Sequence, residues 1–121
     1  MASALIPSSR TTITYRLLGS LAAFRAAEDG TPEPLDLGPP KQRAVLAMLL
    51  INRGRIVSTD QLTHAVWGEH PPGSALSGLQ AYVSNLRRIL RPAADASSPI
   101  VLRGPGYVLD ADAAQLVERD G

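Results

Sequence analysis

The segment SALSGLQAYVSNLRRILR, residues 74–91, carries hydrogen-bonding side chains at helical spacing and contains no acid. On a helix, Ser77, Gln80, Ala81, Ser84, Arg88 and Arg91 share one face, and Leu79, Val83, Leu86 and Leu90 fall on the other. The chemistry available to the polar face is recognition rather than bond making. Small side chains permit close approach, Gln and Asn amides match the donor and acceptor edges of bases, and arginine pairs with guanine or phosphate. The same pattern also reads as an ordinary solvated face. A second isolated cation, Arg103, stands in VLRGPGYVL, where two short apolar runs fold around Gly-Pro-Gly. At a hairpin tip its guanidinium can enter a narrow, electronegative minor groove.

Catalytic constellations are missing. GPPKQR lacks the GxxxxGK[ST] spacing, and its prolines remove amides that a phosphate would need. No GxGxxG follows a strand and no G-x-S-x-G occurs. His64 and His70 stand outside any HExxH or other ligand spacing, so no metal or cofactor is expected. Carboxylates are scattered, mostly in the flanks, and suggest no acid/base pair. No enzyme is expected. Trp67, the single tryptophan, reads as a packing residue closing the second helix; its indole N–H is also a candidate phosphate donor.

Charge is unevenly spread. Between Leu37 and Leu109 there are eight basic and three acidic residues, and the remainder has four arginines against eight acids. A basic body with acidic flanks points mildly to a polyanion. The 121 residues, 45% hydrophobic and 19% charged, suit one folded domain. The chain has no cysteine, which excludes a disulfide scaffold or a cysteine zinc site and fits a reducing cytoplasm. No signal peptide or membrane span is read, since the longest unbroken apolar run is Ala44–Ile51.

These side chains must be held by the elements around them. Residues 1–11 read as a loose tail and residues 12–110 as the domain. ITYRLLGS and the weaker LAAFRAA read as strands, EDGT as a turn, and PLDLG as a short third strand, together an N-terminal antiparallel sheet. A helix over KQRAVLAMLLINR starts at Pro39-Pro40, is capped by Gly54 and buries Val45, Leu46, Leu49 and Leu50. After an extended RIV, STDQLTHAVWG forms a second helix with a capping box, Ser58 and Gln61, and stops at Gly68. The third helix runs over residues 74–91 and ends before Pro92; PAADASSP is a loop. The final hairpin turns at Gly104-Pro105-Gly106-Tyr107, a type II pattern with positive φ at Gly106. Its apolar residues pin it to the body, and Tyr107 packs against the third helix. Residues 111–121 read as a linker or the start of a following helical domain. The fold class is α+β, a winged helix-turn-helix with three helices and a C-terminal hairpin wing.

LGPPKQRAVLAMLLINRGRIVS, LTHAVWGEHPPGSAL, LQAYVSNLRRIL and GPGY, in that order, resemble the DNA-binding domain of Streptomyces antibiotic regulatory proteins. The nearest likeness is to actinobacterial EmbR-like members, and a more distant one is to the output domains of OmpR/PhoB-type two-component response regulators. Eleven arginines to one lysine suit a high-GC genome. The resemblance implies a four-stranded N-terminal sheet, a third helix in the major groove and a wing in the neighbouring minor groove. It implies a cytoplasmic, nucleoid-associated activator that binds promoter direct repeats of double-stranded DNA as a head-to-tail dimer and contacts RNA polymerase. By position, DNA contacts fall on Ser77, Gln80, Ser84, Asn85, Arg87, Arg88, Arg91 and Arg103, with Trp67 beside them. Polymerase contacts fall on Glu69, His70, Pro71 and Pro72. Relatives often have a basic residue where this chain has Asn85. The alternative use of the same fold is a protein-interaction module.

Overall fold

A computed structural model describes residues 13–16, 21–91 and 98–110 and the backbone of Gln115–Val117, and three helices and two small sheets are formed by these described residues. The tail expected over residues 1–11, the 17–20 end of the first strand, the loop at 92–97, and residues 111–114 and 118–121 lie outside the described residues.

The first sheet joins β1 (Ile13–Arg16), β2 (Ala22–Ala26), β3 (Pro32–Pro34) and β7 (Gln115–Val117) in the order β3-β2-β1-β7. β1 and β2 run antiparallel, with Ile13 opposite Arg25 and Arg16 opposite Ala22. Two expectations need correction. The third strand is Pro32–Pro34, not PLDLG. Among the described residues β2 is its only partner, which makes it an edge strand where prolines that cannot donate are tolerated. Pairing extends to Leu35, whose N–H donates to the Ala23 carbonyl at 2.9 Å, and Leu37 is buried. The segment read as a linker or the start of a following helical domain contributes Gln115–Val117, which pairs parallel to β1 and makes the sheet mixed.

α1 (Pro40–Ile51) starts with Pro39 at the N-cap and buries the expected Val45, Leu46, Leu49 and Leu50, with Gln42 on the same stripe. It is capped by Asn52 rather than Gly54; Gly54, at φ +83°, instead donates to the Leu109 carbonyl at 2.9 Å. β4 (Val57–Ser58) leads into α2 (Thr59–Trp67), whose capping box is formed in both directions by Ser58 and Gln61. Gly68 ends it at φ +81°. α3 (Ala75–Ile89) buries Leu79, Val83 and Leu86, and Leu90 just beyond it is buried too. Each of these apolar side chains contributes about 2 kcal/mol by leaving water.

The wing is β5 (Ile100–Arg103) and β6 (Gly106–Leu109), and β4 adds to it in the order β4-β6-β5. Its turn also needs correction. Gly104 and Pro105 are the two central residues, with Gly104 at φ +51°. Glycine first and proline second is the type II′ pattern, whose twist suits a two-residue hairpin. Gly106 is therefore a strand residue. A Cβ there would fall on the Val57 carbonyl oxygen and lie 2.6 Å from Ser58 Cα, so β4 can cross β6 only at a glycine. Ile100, Tyr107 and Leu109 fasten the wing to one core shared with all three helices, β1, β2 and β4.

Tyr15 lies at the bottom of that core, fully buried, and its hydroxyl has no hydrogen-bond partner among the described residues. Burial raises the phenol well above its ordinary value, because the phenolate would lose its water. Tyr15→Phe is expected to hold or raise stability, by about 1 kcal/mol, in urea unfolding at pH 7. A raised folded-state value means the stabilising preference for the protonated form is intact below pH ~10 and declines above it, by about 1.4 kcal/mol per pH unit. Wild-type stability should therefore fall more steeply above pH ~10 than that of Tyr15→Phe; parallel profiles would show that water reaches the phenol in the folded state.

Candidate nucleic-acid interface

α3 owes its two-sidedness to leucine and valine at helical spacing, which turn one face into the core and leave the other in solvent. Ser77, Gln80, Ala81, Ser84, Arg87, Arg88 and Arg91 are exposed. The wing stands beside this face. Gln80, Val83, Ser84, Arg87, Arg88 and Arg91 line an open groove of about 450 Å³ with Leu102 and Tyr107 of the wing. Tyr107 is buried at its wall, whereas Leu102 is 61% exposed, an apolar side chain at the mouth. Three arginines make the groove cationic: Arg87 and Arg88 in the last turn of α3, where the helix dipole favours positive charge, and Arg91 just beyond it.

The structure gathers five of the sequence-predicted residues, Gln80, Ser84, Arg87, Arg88 and Arg91, into that groove. Ser77 is exposed a turn earlier, its Oγ donating to the Ser74 carbonyl at 3.1 Å. Arg103 is exposed at the wing tip, with no ion pair among the described residues. Trp67 is half-buried outside the groove. Its ring stacks on Tyr82 of α3 at 6.1 Å between centroids, over Gly78, where a Cβ would come within 3.2 Å of the indole. Glu69, His70, Pro71 and Pro72 are exposed in the link between α2 and α3. Asn85 turns from the groove towards α1: it is half-buried, and its Nδ2 donates to Gln42 Oε1 at 3.1 Å.

Two residues that position this face escape a sequence reading. Arg25 of β2 reaches the end of α3, its Nη2 donating to the carbonyls of Ile89 at 2.7 Å and Arg91 at 2.9 Å. These are helix-end carbonyls with no partner inside the helix. Nothing local marks Arg25, a cation on a half-buried strand. Gln42 did carry a signal: it stands three and four residues before Val45 and Leu46, a polar side chain on an apolar stripe.

A recognition helix with an acid-free outer face, flanked by a β-hairpin that extends its groove, is the layout of a winged-helix DNA-binding domain. A family model described as "Transcriptional regulatory protein, C terminal" matches residues 33–109, and the chain belongs to that family, one of DNA-binding domains and not of enzymes. Transcriptional regulatory protein EmbR of Mycobacterium tuberculosis is 47% identical over 100 residues, 81% of this chain and 25% of that protein. Regulatory protein AfsR of Streptomyces coelicolor is 46% identical over 74 residues, 61% of this chain and 7% of that protein. The structure of Mycobacterium tuberculosis EmbR in complex with a low affinity phosphopeptide superposes with a TM-score of 0.74 at 40% identity, over 86% of this chain and 27% of that one. The DNA binding domain of CpxR from E. coli gives 0.51 at 26% identity, over 78% and 82%. The chain thus spans about a quarter of the length of EmbR. Among the described residues no helix is long and apolar enough to cross a membrane.

Proposed function

We propose that this chain reads double-stranded DNA with α3 in the major groove and the wing in the adjacent minor groove, and that it activates transcription. The observation that carries the reading is the open groove between α3 and the wing, lined by two arginines of an acid-free helix and a third just past its end. Gln80 and Ser84 face base edges, Arg87, Arg88 and Arg91 meet guanine or phosphate, and Ser77 meets the backbone nearer the start of α3. Arg103 enters the minor groove from the wing tip. Trp67, held on Tyr82, offers its indole N–H to a phosphate at the edge.

The finer assignments follow from the family likeness. Two copies bind promoter direct repeats head to tail, and the exposed Glu69, His70, Pro71 and Pro72 meet RNA polymerase. Residues 12–110 are the DNA-binding unit, with Gln115–Val117 completing its sheet. Binding promoter DNA places this chain at the nucleoid.

Selection from a random duplex pool, followed by footprinting, should enrich two repeats about one helical turn apart. Affinity should fall steeply with salt, with a log–log slope near −3.6 if about four phosphates are neutralised. Arg88→Ala and Arg103→Ala should each weaken binding by about 1–3 kcal/mol. Full-strength binding by both would remove this mapping, and affinity no better than non-specific at physiological salt would favour a protein-interaction module.

A further inference from the structure

We propose that Gln42 and Asn85 are positioning residues that hold the Arg88 guanidinium for DNA, and that Asn85 does not itself touch DNA. This rests on the DNA-reading role of α3 proposed above. The observations form one chain of contacts. Arg88 Nη2 donates to Asn85 Oδ1 at 3.3 Å. Asn85 Nδ2 donates to Gln42 Oε1 at 3.1 Å, and Gln42 Nε2 donates to the Leu37 carbonyl at 2.8 Å. Both ends of each amide are therefore used, one to receive and one to give. Gln42 is 2% exposed, and apart from the tyrosines it is the one buried side chain among the described residues that carries a polar group.

The loop before α1 is shaped around that side chain. Gly38 sits at φ +91°, and a Cβ there would press on the Gln42 amide, 3.0 Å from Cδ. The Gly38 N–H is held by Asp36 Oδ1 at 3.0 Å. A hydrogen-bonded chain anchored on a buried amide rigidifies what it touches. Its outer end is Arg88, which is exposed and has four further N–H donors to offer. An arginine loses much rotamer freedom when it binds, so an acceptor that restrains it beforehand lowers the cost of contact. With its amide anchored by Gln42 on one side and Arg88 on the other, Asn85 cannot turn to a base edge without releasing one of them.

The test is a set of mutant cycles on the full 121-residue chain. Affinity is measured for the duplex this chain enriches from a random pool, and for copies of that duplex changed one base pair at a time. Asn85→Ala and Gln42→Met are each made alone and with Arg88→Ala. Alone, each should weaken binding by about fivefold, within the range for residues in contact, and relax preference at the base pair that Arg88→Ala relaxes. In the Arg88→Ala background each should change affinity by less than about twofold. A loss by the same factor in both backgrounds would overturn the proposal, since it means direct contact or a general effect on the fold. If Arg88→Ala binds at full strength, the DNA-reading assignment and the proposal fall together; if it weakens binding and the losses add, the proposal alone falls. Should Gln42→Met fail to fold, the Asn85→Ala pair decides.

Discussion

Gly106→Ala is expected to unfasten the wing and to lower stability by about 3 kcal/mol or more, a melting-temperature drop of about 12–24 °C. The added methyl group has no free direction. It meets the Val57 carbonyl oxygen, Val57 C and Ser58 Cα, all backbone, so no side-chain rotation relieves the clash. The strand that must retreat is β4, and its last residue, Ser58, is also the N-cap of α2. The Thr59 N–H, bonded to the Pro105 carbonyl at 3.1 Å, moves with it. Damage at one glycine thus reaches the wing turn and the start of α2 together. Gly104→Ala is the control. Its Cβ would stand in open space, and the residue is strained only by φ +51°, at a cost of about 1–2 kcal/mol. Thermal melting of both variants decides the matter: if Gly104→Ala is the more damaging, β4 does not cross β6 as described.

Arg25→Ala is expected to lower stability by about 2 kcal/mol and to weaken DNA binding, although Arg25 stands outside the groove. One guanidinium satisfies two carbonyls at the end of α3, with favourable charge on the helix dipole, and ties β2 to the helix. Without it the last turn of α3 loosens, and that turn carries Arg87 and Arg88, with Arg91 just beyond. The effect should appear as faster hydrogen exchange at the end of α3 and a melting point lower by about 8–16 °C. Arg25→Lys should recover part of it, because an ammonium supplies the charge and donors without the planar fork. Wild-type melting and exchange in Arg25→Ala would show that water replaces the guanidinium at no cost.

Helices were legible wherever their signals are local. Pro39-Pro40 opens α1, Ser58 and Gln61 box α2, and Gly68 closes it, because caps act within a turn of the chain. The outer face of α3 was legible as the complement of its apolar stripe, so its groove residues could be named before their groove was seen. The turn of the wing was misplaced by one residue because GPG offers two glycines, and choosing between them depends on β4, nearly fifty residues earlier in the chain. PEP carries no strand signal in the sequence, because prolines count against pairing until the strand is known to be an edge.

The order of the three helices and the wing hairpin, the buried stripes and the family motifs were determined by sequence alone, since each depends on neighbours within about one or two helical turns. Tertiary structure decided what holds the recognition helix in place. Arg25 meets Ile89 across 64 positions and Gln42 meets Asn85 across 43. No periodicity or spacing records contacts of that range, because they exist only once the core has brought the strands, α1 and α3 together.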